Sequence, residues 1–200
     1  MLNTIEYLNR RFACKLYDGR MIEADKLDAI LEAGRLSPSS FGLEPWTFHV
    51  ARSSDLLSSC FFQESMKTAP VTIVITAKRA QFFSPDSGFI RERSSRFPGG
   101  YEAFSDDFSG YYEFLKSEGR LDSWSRSQCY IAAMSMMIAA AEEGIESCAI
   151  EGFDNESVLS ALGISPDDES VGIVIAFGYS AEPERSKIRE PLGAVTVYHL

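Results

Sequence analysis

A chain of 200 residues with 45% hydrophobic content can bury one sizeable core and not two comfortable ones, so a single domain over 1–200 is expected. With 19 basic against 29 acidic residues the formal charge is −10, which argues against nucleic acid as a partner, because a phosphate backbone asks for a basic surface that displaces its counterions. The four cysteines, Cys14, Cys60, Cys129 and Cys148, lack CxxC spacing, so neither a zinc knuckle nor a dithiol motif follows and reduced thiols in a cytoplasm fit.

The opening stretch MLNTIEYLNRRFACKLYD carries Glu6, Arg10, Arg11, Lys15 and Asp18 and has no apolar core with a small-residue cleavage site, so it is not a signal peptide. Ile5 and Leu8 stand at helical spacing behind Asn3 or Thr4 as caps, with Glu6 in the first turn where it suits the dipole, which predicts a short helix over 3–11. In IEADKLDAILEAGRLSPSS, Leu27, Ile30, Leu31 and Gly34 share one face of a second helix, which Pro38 closes. That helix delivers the chain into SPSSFGLEPWTFHV (37–50), a hydroxyl-rich turn followed by Pro45-Trp46, with Trp46 read as a buried aromatic.

TFHVAR, VTIVITAKR and VGIVIAFGY are β-rich runs bounded by Pro or Gly, and Val71, Ile73, Ile75 and Val171, Ile173, Ile175 alternate at period two. At least three strands are predicted. The intervening positions are also apolar (Val74, Val174, Ala176), so helices should cover both faces of the sheet. Between 79 and 124 the pattern turns irregular, with 11 of the 24 aromatic residues set among Ser, Gly, Pro and charges; it reads as an aromatic-rich excursion, because a disordered linker is poor in rings. The run CYIAAMSMMIAAA from Cys129 to Ala141 falls short of the roughly 17–25 residues of a membrane span and reads as a buried helix over 125–143, so no membrane partner is expected.

Three clusters distant in sequence share the chemistry of an anion site if the fold unites them: Arg10-Arg11-Phe12-Ala13-Cys14-Lys15, Lys187-Ile188-Arg189, and the hydroxyls of Ser37, Ser39 and Ser40. Taken singly, each reads first as solvated charge or as turn and cap residues. In AIEGFDNESVLSALGI (149–164), Gly152 lets backbone approach a ligand closely, Asp154 or Asn155 caps the next helix, and Glu151 is either an acid/base group or a solvated carboxylate. His49 and His199 have no spacing that matches a metal ligand set or a catalytic triad, so no metal site is expected.

Four separated motifs, RRFACKLYD (10–18), SPSSFGLEPWTFHV (37–50), QCYIAAMSMMIAAAEEGIESCAIEGFD (128–154) and KIREPL (187–192), together resemble the FMN-dependent nitroreductase family and cover nearly the whole chain outside 79–124. The resemblance implies an α+β fold with a central, mostly antiparallel sheet flanked by helices. It also implies an interlocked homodimer with C-terminal strand exchange, in which Ala194 to Tyr198 adds to the other subunit's sheet. FMN would lie at the dimer interface. Its implied activity is ping-pong hydride transfer from NAD(P)H to a small-molecule acceptor, nitroaromatic or quinone-like, with no side chain acting as a nucleophile.

Carried over residue by residue, the first motif (Arg10, Arg11, Phe12, Ala13, Lys15) would meet the cofactor, with Arg11 on its phosphate and Lys15 near flavin N1. Lys187 and Arg189 would complete the phosphate clamp. Ser37, Pro38, Ser39, Ser40 and Gly42, with Gln128, would be contributed to the partner's FMN, and the backbone at Ile150, Glu151 and Gly152 would lie near N5. This sequence departs from the family at Phe12 and Ala13, where many members have His or Arg and then Ser, at Gly42 in place of Asn, and at Glu44 in place of Gln. Gln63 and Glu64 are the candidates for the Asn that commonly meets the pyrimidine edge. Two other readings of the same resemblance are a flavin-binding or flavin-transforming protein without NAD(P)H turnover and an interaction protein that has lost the cofactor.

Overall fold

The structure, a computed structural model, describes residues 4–199; the candidate cap Asn3 lies outside them. The first helix, α1 (Thr4–Arg10), fully buries no side chain: Leu8 is half-buried and Ile5 is 64% exposed. Helix α2 (Ala24–Arg35) follows, with Ile30 and Gly34 buried, and a 3-10 turn at Ser40–Gly42 leads into β1 (Trp46–Ala51). Then come α3 (Glu64–Thr68), β2 (Val71–Lys78), α4 (Gly88–Ser94), α5 (Gly100–Ser117), α6 (Leu121–Glu142), β3 (Glu146–Ile150), α7 (Asn155–Ala161) and β4 (Glu169–Gly178).

The sheet is four-stranded in the order β1-β2-β4-β3, with every pair antiparallel. β2 and β4 are its inner strands and are buried almost end to end, which is why their sequences are apolar on both faces. On one face Ile73, Ile75, Ile173 and Ile175 pack against Ile30 of α2 and the buried face of α6, notably Ala132, Ala133 and Met136. On the other face Val74, Val174 and Ala176 meet Phe12, Leu56, Met66, Val158 and Leu159.

One sequence expectation is corrected here, that for Trp46, and the irregular segment gains definition. The segment 79–124 is helical, holding a 3-10 turn at Ala80–Phe83, α4, α5 and the start of α6, and its rings form a third core of Phe83, Phe104, Phe108, Tyr112 and Trp124. Its aromatics recur at helical spacing, which the intervening Ser, Gly and acidic residues conceal. Trp46 is half-buried, because β1 is an edge strand; Trp46 stacks on Phe48 of the same face at 6.1 Å, while Leu43 and Pro45 are the buried anchors of the turn. The tail segment Ala194 to Tyr198 pairs with no strand of its own chain and follows a single 3-10 turn at Leu192–Ala194. A fourth strand, β3, is not predicted by its short, half-polar ESCAI. Among the described residues no helix is long and apolar enough to cross a membrane.

Candidate functional site

After α1 the chain runs extended beside the free edge of β3, with a parallel bridge between Ala13 and Ser147. The alternation of an extended chain buries Phe12 and Cys14 and turns Arg11, Ala13 and Lys15 outward. The segment is fastened at both ends: the Phe12 N–H donates to Glu146 Oε2 at 3.2 Å and the Tyr17 N–H to Thr68 Oγ1 at 2.9 Å. Lys15 Nζ donates to Cys148 Sγ at 3.1 Å.

Outward of this segment lies a cavity of about 260 Å³ lined by Arg11, Phe12, Ala13, Lys187, Ile188 and Arg189. Two of the three distant clusters therefore converge. Lys187 Nζ donates to the Arg11 carbonyl, while Arg11 Nε is buried with no hydrogen-bond partner. Burial, then the neighbouring charges of Arg11 and Arg189, push the Lys187 ammonium below its usual range, with Glu146 opposing. Glu146 is itself raised, by burial above all, against the pull of the Phe12 N–H, Arg11 and Arg10. The cavity is thus a cationic cluster with an unused buried donor. Arg10 does not join it: its guanidinium donates to the Ala141 carbonyl and lies 5.9 Å from the Tyr7 ring centroid, tying α1 to α6.

Beyond Lys15 opens a larger cleft of about 550 Å³. Its polar lining is Lys15, Gln63, Tyr130 and Glu151 with Gly152, and its apolar lining includes Ala133, Met134, Met137, Ile150 and Ile173. Gly152 lets the Gln63 amide approach closely, since a Cβ there would sit 2.8 Å from Gln63 Nε2, the mobile end of that side chain. The Tyr130 O–H donates to Glu151 Oε1 at 2.8 Å, and burial together with that carboxylate raises the tyrosine pKa. Asp154 is the cap of α7, accepting from the Ser157 N–H at 2.8 Å, whereas Asn155 accepts from the Val171 N–H. Of the two candidates for the missing Asn, Gln63 faces the cleft and Glu64 pairs with Lys67 at 2.6 Å in solvent.

The serine turn stands elsewhere. Ser37 Oγ lies 3.0 Å from the Ala33 carbonyl and 2.7 Å from Ser135 Oγ, and Ser39 Oγ accepts from the Glu44 N–H at 2.9 Å. The Ser40 N–H donates to Gln128 Oε1 at 2.9 Å, and Gln128 in turn donates to the Trp124 carbonyl. Gln128 and Ser135 leave α6 on the side opposite Tyr130, Ala133, Met134 and Met137, at about 100° of rotation per residue. Ser37, Pro38, Ser39, Ser40, Gly42 and Gln128 therefore form one cluster and Lys15, Ile150, Glu151 and Gly152 another, with α6 between them.

Tyr130, Met134 and Met137 are missed by sequence reasoning, because apolar residues on a helix read as core; their one signal is a spacing of three and four beside otherwise small residues. His49 packs on β1, with Nε2 3.0 Å from Thr76 Oγ1 and 3.7 Å from Glu169. Burial would raise Glu169, but bonds from His49, Lys78 (2.6 Å) and Thr76 outweigh it and hold the carboxyl at about 2. Among the described residues no three His, Cys, Asp or Glu side chains are grouped to hold a metal ion.

An antiparallel sheet flanked by helices thus carries a cationic cavity and a larger cleft of mixed polar and apolar lining, a layout suited to a small molecule. Residues 8–179 match the model of the Nitroreductase family. A Staphylococcus epidermidis protein named "Putative NAD(P)H nitroreductase" is 34% identical over 93% of this chain and 92% of its own length. A Staphylococcus haemolyticus protein of the same name is 32% identical over 94% and 93%. A protein of Exiguobacterium sibiricum, solved in complex with FMN, shares the fold with a TM-score of 0.81 at 17% identity, over 99% of this chain and 98% of that one. The chain belongs to the nitroreductase family, and with that membership it is an oxidoreductase.

Proposed function

We propose that the chain is an FMN-dependent NAD(P)H oxidoreductase that reduces nitroaromatic or quinone-like acceptors, working as a homodimer in a cytoplasmic setting. The observation that carries this reading is the Arg11 cavity. A buried Nε without an acceptor, beside a Lys187 ammonium disfavoured by burial and by two guanidinium neighbours, is a cationic site that the chain's own carboxylates leave undercompensated. A phosphate monoester supplies the missing acceptors, with Arg11 and Arg189 donating in forked geometry and Lys187 as a point charge. These residues fit the phosphate end of FMN.

The same extended segment carries Lys15 into the 550 Å³ cleft, so phosphate site and cleft are joined by a short stretch of chain. Ala133, Met137, Ile150 and Ile173 offer the apolar surface that a flat tricyclic ring needs, and Gly152 leaves room at its edge. Lys15 would place positive charge where the resemblance puts flavin N1, and the backbone at Glu151 and Gly152 would border N5. Bound there, FMN supplies the two-electron exchange between a nicotinamide donor and the acceptor that replaces it. The protein's share is to bind, orient and place charge. Phe12 and Ala13 offer that part of the phosphate site no side-chain donor.

The serine turn and Gln128 face away from their own chain's cleft, which supports their use by a second copy. Exposed Ile5, Leu36 and Ile131, with Val195, Val197 and Tyr198 of the tail, are apolar surface that a dimer would cover. Anaerobic stopped-flow absorbance tests the reading in two steps. NAD(P)H is expected to bleach the FMN-loaded protein, and, once the nicotinamide nucleotide is removed, a nitroaromatic or quinone is expected to restore the yellow colour. Flavin that is retained and stays yellow with NAD(P)H argues for a flavin-binding protein without turnover.

A further inference from the structure

The turn that presents Ser39 and Ser40 is held in a backbone conformation that its residues do not favour. Phe41 has φ 54° and ψ 17°, Gly42 has φ 59° and Glu44 has φ 46°, all in the left-handed region. A bulky residue stays there only where its surroundings over-determine it. Those surroundings come from the aromatic segment. The Phe41 ring meets Phe104 (6.0 Å between centroids), Phe108 (5.3 Å) and Tyr111 (5.4 Å), all on α5, the first two edge-to-face. A Cβ on Gly42 would come within 2.8 Å of Phe97 Cζ. Arg96 Nη1 pairs with Glu44 at 3.2 Å and Arg93 reaches the same carboxylate at 3.9 Å. From the opposite side, Gln128 of α6 takes the Ser40 N–H.

We propose that Phe41 is a positioning residue and that α4 and α5 form a built-in clamp, which holds the Ser39–Gly42 turn in its ligand-presenting shape before any ligand arrives. The inference rests on the reading of that turn as a cofactor contact. A turn already fixed by ring contacts loses little conformational freedom on binding, so the clamp acts on affinity. The clamp also accounts for the arginines of RERSSR. Arg93 and Arg96 fasten the turn through Glu44, and Arg91 pairs with Asp86 at 2.9 Å, so all three are engaged within the chain.

The test compares Phe41→Ala with Phe83→Ala. Phe83 belongs to the same aromatic core, packing on Phe89 and Trp124, and its ring contacts do not include the turn. FMN affinity is read from quenching of flavin fluorescence, and the shape of the turn from the rate of proteolytic cleavage within 37–44 in the cofactor-free protein. Phe41→Ala is expected to weaken FMN by about tenfold or more and to speed cleavage, Phe41→Tyr to restore both, and Phe83→Ala to leave FMN affinity within about twofold. If Phe41→Ala does not fold, Phe41→Leu, which keeps apolar bulk without the ring, is read instead. Wild-type affinity and cleavage in the Phe41 variant, or an equal loss in Phe83→Ala, overturn the inference. Failure of the wild type to bind FMN sinks the cofactor reading instead, and the cleavage rates still decide whether Phe41 holds the turn.

Discussion

Replacing Arg11 with Ala separates binding from stability in a way that follows from one buried atom. In the folded chain Arg11 Nε has no partner and its charge disfavours the Lys187 ammonium. Leaving a buried donor unsatisfied costs about 1–3 kcal/mol, so Arg11→Ala should leave the cofactor-free protein as stable as the wild type or up to about 1 kcal/mol more stable, lost packing of the stem offsetting part of the gain. A charge-assisted hydrogen bond to phosphate is worth about 1.5–3 kcal/mol, so FMN should bind roughly ten- to a hundredfold more weakly. Riboflavin, which has the same ring and no phosphate, should bind both proteins within about twofold. Titrations of the two flavins, with urea denaturation of the cofactor-free proteins, give all three quantities. An equal loss for FMN and riboflavin would refute the assignment of Arg11 to a phosphate.

Other outcomes follow from the same geometry. Glu169, ordinarily near 4.5, is held at about 2, so its contribution of up to about 3 kcal/mol is fully present above pH 4.5 and is lost as pH falls toward 2. Lys78→Met should therefore move the acid-unfolding midpoint, followed by circular dichroism, to higher pH, and an unmoved midpoint would show that the pair does not hold Glu169 down. Gly152→Ala should displace the flexible Gln63 amide into the cleft, lowering FMN affinity several-fold while the melting temperature changes little. Deleting residues 191–200 removes exposed Leu192, Val195, Val197 and Tyr198, and sedimentation should show a shift toward monomer with loss of FMN binding. A truncated chain that still sediments as a dimer would argue against the exchanged arm.

The inner strands are legible because β2 and β4 carry β-branched residues on both faces, a pattern that only a covered sheet explains. β3 is not, because Glu146 and Ser147 break its apolar pattern and their burial comes from the segment at Phe12 that lies against them. In α5 the core positions Phe104, Phe108, Tyr112 and Leu115 recur every three or four residues, yet Ser, Gly and Asp between them imitate a loop. Arg10 and Arg11 are indistinguishable as adjacent letters of the sequence. Only the change from helix to extended chain between them turns one toward α6 and the other into the cavity. Lys15, Glu151 and Gly152 are recognisable by motif, whereas Tyr130 and Met134 reach the cleft only because α6 has two working faces. Trp46 misleads for a related reason: the position beside Pro45 is an edge strand, where even a large ring keeps one side open.

The most direct measurement is the visible absorption spectrum of the purified protein after loading with FMN and desalting, read beside the same protein loaded with riboflavin. The account predicts a yellow, stoichiometric FMN complex and far less retained riboflavin, since the phosphate cavity provides much of the grip. A colourless protein in both samples would contradict it and would leave the fold serving as an interaction surface.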